Sequence, residues 1–326
     1  MISLNDVREA RVRLQGVACR TGLIEAGFIG KTGPRRKLFL KPENQQPIGA
    51  FKLRGAYNKI ASLTDEDRKR GVITYSSGNH AQGVAYAART LGVRAIIVMP
   101  DNAPAIKREA TAALGAEIAF VGPGSSERQL KAEELAARHG YVIVPPYNDE
   151  QIIAGQGTIG LEILEDLPEV ETVLAPVGGG GLISGIATAI KLTKPSVNVI
   201  GVEPELAADA QASLRAGKIS QFPACEVSRT IADGLRTQSI GPINFEHMRR
   251  YVDDIITVGE DEIREAAKLL ATNPNTVAEP SGAVATAGFL FHRDQLPETK
   301  LNVAIISGGN IDPEMLEELR SENRRS

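Results

Sequence analysis

The stretch that decides the fold is Thr172-Val-Leu-Ala-Pro-Val-Gly-Gly-Gly-Gly-Leu-Ile-Ser-Gly-Ile-Ala-Thr-Ala-Ile-Lys-Leu192. A short apolar run, typical of a buried strand, leads through the tetraglycine Gly178–Gly181 into an apolar segment of helical length. Strand followed by helix is the repeating unit of a parallel sheet. The N–H groups of the glycine run can converge on an anion at the positive helix end. Because one glycine would suffice for a tight turn, we interpret the run as a phosphate cradle.

The same alternation of strand and helix extends outward from this stretch. Predicted strands lie at residues 72–76, 94–100, 117–122, 141–146, 172–177, 197–204 and 301–307, with helices between them. This pattern predicts the α/β class. Because a late strand closes the chain, we place residues 1–70 and 147–326 in one large domain and residues 71–146 in a small inserted α/β domain.

Composition excludes several classes of partner. The chain has 326 residues, is 42% hydrophobic and carries a formal net charge of −3, so nothing predicts a general attraction for nucleic acid or anionic membranes. A small molecule is the expected partner. The two cysteines, Cys19 and Cys225, fit a reducing compartment. Without a secretory signal or a long apolar segment, we expect a cytoplasmic protein with no membrane span.

A dinucleotide site is the main alternative for the glycine run. No Gly-Lys-Ser/Thr follows it, which excludes a P-loop. Gly179 and Gly181 match the first two glycines of a dinucleotide fingerprint, Ser184 stands at the third, and Glu203 lies where a ribose-binding acid is expected. The unit lies in mid-chain and the third glycine is missing. An NAD-binding oxidoreductase therefore stays open as a second class, together with a catalytically silent metabolite-binding protein.

Two further segments carry candidate chemistry. Lys52 lies between Gly49 and Gly55 and is flanked by apolar residues, and a lysine in an apolar pocket has a lowered pKa and can form Schiff bases. Alone, it reads more simply as a surface charge. The turn around Ser77 and Asn79 joins a strand to a helix, where it can bind a carboxylate or a ring oxygen, or simply cap the helix.

Together these segments resemble the fold-type-II pyridoxal-phosphate enzymes, and most closely the short threonine dehydratases and serine racemases. The resemblance rests on the following motifs: Lys41-Pro-Glu-Asn44, Gly49-Ala-Phe-Lys-Leu-Arg-Gly-Ala56, Ser76-Ser-Gly-Asn-His80, Pro145-Pro-Tyr147, Ala154-Gly-Gln-Gly-Thr158, Gly178-Gly-Gly-Gly-Leu182, Gly201-Val-Glu-Pro204, Thr230-Ile-Ala-Asp-Gly234 and Ser307-Gly-Gly-Asn-Ile-Asp312. It implies two open, twisted parallel-sheet domains of the tryptophan-synthase-β kind, with pyridoxal 5'-phosphate in the cleft between them. It also implies a homodimer.

Carried over to this sequence, the resemblance implies a role for each motif. Lys52 would be the Schiff-base lysine, Phe51 the residue beside the cofactor ring, Asn79 the partner of the ring hydroxyl and Ser307 the partner of the pyridine nitrogen. Glu279 would lie beside the cofactor. The phosphate loop would comprise Gly178, Gly179, Gly180, Gly181 and Leu182, and the loop that holds the substrate carboxylate would comprise Ser76, Ser77, Gly78, Asn79 and His80.

Ser307 and Ser77 shape the expected reaction. A neutral hydroxyl cannot keep the pyridine nitrogen protonated as a carboxylate would, so the ring is a weaker electron sink and loss of a β-hydroxyl is favoured over transamination. The expected enzyme is a serine/threonine dehydratase that yields a 2-oxo acid and ammonia. Serine racemases carry serine at position 77 as a second acid–base group, so racemisation is an alternative. Arg128 could hold the second carboxylate of threo-3-hydroxyaspartate, a further alternative, although a solvated helix arginine is commoner.

The segment Glu203-Pro-Glu-Leu-Ala-Ala-Asp209 resembles the metal site of the racemase-like branch. The carboxylates of Glu203 and Asp209 and the carbonyl of Ala207 would be its ligands, and such oxygen donors suit Mg²⁺, Ca²⁺ or Mn²⁺. Solvated loop acids are the simpler explanation. At Asn275 several relatives carry lysine, which puts nucleotide activation of the racemase kind in doubt.

Overall fold

Two separate β-sheets organise the chain, which a computed structural model describes over residues 1–30, 36–103, 105–122 and 125–323. The strands in these ranges are β1 (Ile24–Glu25), β2 (Lys37–Pro42), β3 (Val72–Tyr75), β4 (Ala95–Pro100), β5 (Glu117–Val121), β6 (Val142–Ile143), β7 (Thr172–Pro176), β8 (Asn198–Pro204), β9 (Asp254–Val258) and β10 (Leu301–Ile306). The helices are α1 (Leu4–Arg13), α2 (Lys52–Ala61), α3 (Asp65–Arg70), α4 (Asn79–Leu91), α5 (Ala105–Ala113), α6 (Ser125–His139), α7 (Glu150–Asp166), α8 (Gly181–Thr193), α9 (Asp209–Ala216), α10 (Ala224–Val227), α11 (Pro242–Tyr251), α12 (Glu260–Leu270), α13 (Pro280–Phe291) and α14 (Pro313–Asn323).

The larger sheet has six strands in the order β1-β2-β10-β7-β8-β9, and the smaller has four in the order β5-β4-β3-β6. Every pairing is parallel except that of β1 with β2. The α/β class and the two parallel-sheet units predicted from the sequence are therefore confirmed, with β1 as a short antiparallel edge. All strands of the smaller sheet lie between Val72 and Ile143. The domain limits at residues 71 and 146 stay a prediction.

Most predicted elements are observed, with shifts at their ends. The strand predicted at residues 141–146 is only Val142–Ile143, since Pro145 and Pro146 have no N–H to give to a neighbouring strand. α7 begins at Glu150, seven residues before the predicted helix segment 157–167, because the Asp149 carboxylate accepts from the amides of Gln151 and Ile152 and caps the helix. The strands β1, β2 and β9 were not predicted.

The core of the larger unit lies on both faces of its sheet. Apolar side chains of β7 and β8 pack on one side against α8 and on the other against α13. α7 and α8 approach each other closely at Gly185, where a Cβ atom would lie 2.3 Å from the Ile153 carbonyl oxygen. This close contact holds α8, and hence the glycine run at its start, against the rest of the unit.

The carboxyl ends of the strands meet at one edge of each sheet, and the candidate residues follow those ends. In the larger sheet β2, β10 and β7 are neighbours, and Lys52, Ser307 and Gly178 come after them along the chain. In the smaller sheet, Ser76 directly follows β3. Sites of open α/β sheets form outside the carboxyl ends of the strands, so this topology brings the motifs together. No helix of the described chain is both long and apolar enough to cross a membrane.

Candidate functional site

Lys52 is the first residue of α2, and its amine is directed to a backbone carbonyl. Its Nζ donates to the Pro146 oxygen at 2.8 Å and lies 5.2 Å from the centre of the Phe51 ring. Burial disfavours the charged form and lowers the pKa of the lysine to about 8. At pH 7 the free-amine fraction then rises from roughly 1 in 3,000 to roughly 1 in 10. Lys52 is therefore suited to act as an amine nucleophile.

The Ser76–His80 loop lies beside this lysine because α4 packs on α2. A Cβ atom at Gly83 of α4 would lie 3.2 Å from the backbone carbonyl carbon of Lys52, a tight contact that glycine avoids. His80 is buried and its Nε2 donates to the Val144 oxygen at 3.0 Å. Burial, and next the charge of Lys52, lower the pKa of His80 to about 3. The imidazole is therefore neutral, and the N–H groups that an anion could meet at this loop are those of the first turn of α4.

Asn79, the first residue of α4, bonds to two loops of the larger unit. Its Nδ2 donates to Glu279 Oε1 at 2.6 Å, and its Oδ1 accepts from Asn310 Nδ2 at 2.7 Å. Glu279 precedes α13, and Asn310 follows β10. The structure thus brings the predicted residues Asn79 and Glu279 together and adds Asn310, which the sequence analysis did not single out.

Ser307 lies at the end of β10 and is buried. Its Oγ donates weakly to the Ser281 oxygen at 3.4 Å, and its carbonyl accepts from the Phe51 amide at 3.0 Å. The second contact ties the Ser307 backbone to the residue before Lys52. The weak contact to Ser281 leaves the hydroxyl able to turn toward a better acceptor.

The glycine run is shaped by Tyr147, which lies directly over it. A Cβ atom at Gly179 would come within 2.3 Å of the Tyr147 ring, and one at Gly181 would lie 3.0 Å from the Tyr147 Cβ. Gly180 has a φ of 92°, in the left-handed region that favours glycine. α8 begins at Gly181, so the run leads into free N–H groups at a positive helix end, with Leu182 in its first turn. This geometry fits a cradle for a phosphate group.

Glu203 and Asp209 form a buried pair of acids. Glu203 ends β8, and its two carboxylate oxygens accept from the amides of Ala210 and Gln211 at 3.0 and 2.8 Å. Neither carboxylate oxygen of Asp209 makes a hydrogen bond of good geometry within the described chain, although the residue is fully buried. Burial raises the pKa of Asp209 to about 7, and burial together with Asp209 raises that of Glu203. A nearby cation would relieve this cost.

The remaining parts of the predicted metal site are present but sparse. Ala207 is buried in the short 3-10 helix Glu205–Ala207 between the two acids. The described residues contain no group of three or more His, Cys, Asp or Glu side chains that could hold a metal ion. The donor set expected from the sequence is two carboxylates and one carbonyl, and such hard-oxygen donors would suit Mg²⁺ or Ca²⁺ with water completing the shell.

Arg128 lies on α6 of the smaller unit, and burial lowers the pKa of its guanidinium. Its role as a substrate residue stays a prediction.

A comparison with protein-family models shows the family to which a chain with this site belongs. The model of the pyridoxal-phosphate dependent enzymes matches residues 15–308, which is most of the chain. The chain belongs to this family. The match includes Lys52, the glycine run and Ser307, so the resemblance stated from the motifs is confirmed and the dinucleotide interpretation of the glycine run is left without support.

Relatives of this pyridoxal-phosphate dependent enzyme are similar over nearly its whole length. The chain is 46% identical over 320 residues to the L-threonine ammonia-lyase of Thermotoga maritima, covering 98% of this chain and 78% of the relative. It is 42% identical to the catabolic L-threonine dehydratase TdcB of Escherichia coli K12, covering 95% and 94%. Among solved structures, maize serine racemase superposes with a TM-score of 0.90 at 38% identity, covering 99% and 98%. The serine racemase of Dictyostelium discoideum superposes with a TM-score of 0.86 at 35% identity, covering 95% and 99%.

Sequence analysis missed a buried cluster of four charges behind the site, which we call the charge cluster: Lys41, Glu43, Arg54 and Glu162. The Arg54 guanidinium donates to both oxygens of Glu43, each at 2.8 Å, and to both oxygens of Glu162 at 2.6 and 2.9 Å. Lys41 donates to Glu162 at 2.6 Å and to the Thr21 carbonyl. The nearby acids lower the cost of burying Arg54 and raise its pKa. Arg54 follows Lys52 by two residues in α2. The charge cluster therefore anchors the helix that begins with Lys52.

Proposed function

We propose that the chain is a pyridoxal-phosphate-dependent ammonia-lyase that converts serine or threonine to a 2-oxo acid and ammonia. The observation that carries the proposal is the meeting of Lys52, an amine with a pKa of about 8, with the glycine run, Asn79 and Ser307 at the carboxyl ends of the strands. The activities for which the relatives are named, threonine ammonia-lyase and threonine dehydratase, support this substrate class.

The residues present fit the cofactor. The glycine run and the first turn of α8 would hold its phosphate, because a helix N-terminus with closely approachable backbone favours an anion. The second Nδ2 hydrogen of Asn79 is available for the ring oxygen, and Phe51 would lie beside the ring. Ser307 Oγ can donate to the pyridine nitrogen when it turns from Ser281. When bound, pyridoxal phosphate supplies an aldehyde for the substrate amine and an electron-withdrawing ring.

Each protein group then has a defined task in elimination. The N–H groups at the start of α4 bind the substrate carboxylate, with the neutral His80 held to Val144. Lys52 Nζ removes the α-proton, since a lysine whose pKa is near 8 is partly free amine at neutral pH. The neutral Ser307 hydroxyl leaves the ring a weak electron sink, which favours early loss of the β-hydroxyl group.

The test is the visible colour of the purified protein with pyridoxal phosphate. We expect a visible absorption band that Lys52→Ala abolishes together with 2-oxo acid formation. The control is Lys59→Ala, on the same helix, where the lysine pairs with the Asp149 carboxylate. This variant should keep both the absorption band and the formation of 2-oxo acid. A protein that stays colourless with the cofactor but binds NAD tightly would refute the proposal.

Racemisation of serine is the second candidate activity, and Ser77 favours it. The similarity to maize serine racemase supports this alternative. The Ser77 residue is partly exposed, so it is accessible to a ligand. A hydroxyaspartate substrate would instead need Arg128 for its second carboxylate. Arg128→Met should then abolish turnover of threo-3-hydroxyaspartate and spare that of serine.

We also propose that Glu203, Asp209 and the Ala207 carbonyl bind Mg²⁺, Ca²⁺ or Mn²⁺. The buried carboxylate oxygens of Asp209, which lack a well-formed hydrogen bond within the described chain, support this site. A cation at about 100 times its dissociation constant would stabilise the fold by about 2.7 kcal/mol. Adding Mg²⁺ to chelated protein should raise its melting temperature, and Asp209→Asn should remove that rise. An unchanged melting temperature with each of the three cations would refute the site.

The homodimer and the cytoplasmic location are proposals of the same kind, since they come from the family resemblance and from composition. Sedimentation equilibrium of the holoenzyme gives the number of subunits, and a single-chain mass would refute the dimer.

A further inference from the structure

A line of polar contacts crosses between the two sheet units at Asn79. Its Nδ2 donates to Glu279 Oε1 at 2.6 Å, and its Oδ1 accepts from Asn310 Nδ2 at 2.7 Å. Asn310 Nδ2 also donates to the Ile48 oxygen at 2.9 Å. Both ends of the Asn79 amide are therefore bonded to loops of the larger unit.

These two neighbours allow only one orientation of the amide. A carboxylate oxygen accepts hydrogen bonds, and an amide nitrogen donates them. If the Asn79 side chain turned by half a rotation, its oxygen would face Glu279 and its N–H group would face the Asn310 N–H group. Both contacts would be repulsive. Asn79 therefore keeps its nitrogen toward Glu279, with one of the two hydrogens bonded there and the other left for a further acceptor.

The loop that carries Asn310 is fastened to the segment that leads to Lys52. The Phe51 amide donates to the Ser307 oxygen at 3.0 Å, and the Gly309 amide donates to the Gly49 oxygen at 2.9 Å. Between them, Ala50 and Gly308 form an antiparallel bridge. Asn310 thus fixes Asn79 relative to both Ser307 and the start of α2.

Glycine is required at position 308 for this arrangement. A Cβ atom there would lie 2.4 Å from Glu279 Oε1 and 3.1 Å from Asn79 Nδ2. The missing side chain lets Glu279 reach Asn79 across the loop.

We propose that Asn310 is a positioning residue, which directs the free N–H of Asn79 toward the ring oxygen of pyridoxal phosphate without touching the cofactor itself. Glu279 acts on the other end of the same amide. The inference rests on the proposed function, because it takes the ring oxygen as the acceptor. The inference adds that the hydrogen-bond donor at position 310 determines how much the ring oxygen contributes to the binding of the cofactor.

The experiment compares two cofactors on apoenzyme variants. The first is pyridoxal phosphate, and the second is the analogue whose 3-hydroxyl group is replaced by hydrogen. Asn310→Asp exchanges the donor for an acceptor of the same shape. We expect it to weaken pyridoxal phosphate binding about 3- to 10-fold, the typical worth of one hydrogen bond, and to leave binding of the analogue nearly unchanged. Asn275→Asp, the same exchange at an exposed position, should change neither.

Two further variants make the result decisive. Asn310→Ala removes the donor without adding charge, and it should likewise weaken the binding of pyridoxal phosphate but not that of the analogue. The test therefore stands even if the aspartate variant folds poorly. In an Asn79→Ala background, Asn310→Asp should no longer discriminate between the cofactors, because the pair acts as a unit. Equal weakening for both cofactors, or for neither, overturns the inference. A wild-type protein that binds neither cofactor would instead refute the proposed function.

Discussion

Replacing Arg54 by methionine should destabilise the protein more than any surface substitution, although Arg54 is not expected to touch the substrate. Arg54 is 1% exposed and makes six hydrogen bonds, four of them to the carboxylates of Glu43 and Glu162 and the others to Thr158 and the Cys19 oxygen. The substitution Arg54→Met keeps an unbranched side chain of similar length and removes all six hydrogen bonds.

The magnitude follows from the charges left behind. The charge cluster has two cations and two anions, so it is neutral as a whole. Without Arg54, Lys41 is the remaining cation for two buried carboxylates, and one of these carboxylates is uncompensated. Removing one partner of a buried ion pair costs about 3–5 kcal/mol. We therefore expect the free energy of unfolding at pH 7 to fall by about 3–5 kcal/mol.

Urea unfolding followed by circular dichroism measures this loss. The matched variant is the double change Lys41→Met with Glu162→Met, which removes one charge of each sign and leaves Arg54 paired with Glu43. It should cost less than Glu162→Met alone, since no buried charge is left uncompensated. A loss below about 1 kcal/mol for Arg54→Met, or a double variant less stable than the single one, would show that the cluster does not act as a neutral unit.

Three other outcomes follow from the same geometry. Gly179→Ala places a Cβ atom 2.3 Å from the Tyr147 ring, so we expect it to weaken cofactor binding at least about 10-fold. Adding Tyr147→Ala to this variant should recover part of the lost binding. Unchanged binding in Gly179→Ala would contradict the contact. Ser77→Ala should remove D-serine formation from L-serine while 2-oxo acid formation continues, and equal loss of both products would refute the acid–base role of Ser77. The folded-state pKa of Glu43 lies below its ordinary 4.5, so its stabilising effect is present above pH 4.5 and lost as the pH falls further. Glu43→Gln should flatten this part of the curve of unfolding free energy against pH. Parallel curves for the variant and the wild type would refute this role of Glu43.

The sequence predicted the site where its residues lie close together along the chain. The strand, the glycine run and the helix at residues 172–193 are consecutive, so their order alone placed a cradle at a helix N-terminus. Lys52, Ser76 and Ser307 lie far apart along the chain, and they were grouped through the family resemblance of their motifs. The order of the parallel strands then explains why Lys52 and Ser307 follow neighbouring strand ends.

Contacts between distant residues were beyond such reasoning. Arg54 and Glu162 are 108 residues apart, and nothing in the local pattern around either one reveals the partner. Glu162 lies in an apolar stretch of α7, where an acid at a buried position was the only available signal. Asn310 is 231 residues from Asn79, and its motif indicated a functional loop without indicating which side chain it orients.

Lys52 and Arg54 lie two residues apart in α2, yet the pKa of the lysine is lowered and the pKa of the arginine is raised. A carboxylate beside the amine would favour the ammonium form and raise the pKa, yet burial alone accounts for the value of about 8. All four carboxylate oxygens of Glu43 and Glu162 accept from Arg54, and Lys41 shares Glu162. Arg54 thus anchors α2 to the charge cluster, while the Lys52 amine two residues earlier is directed to the Pro146 carbonyl in a buried position that lowers its pKa.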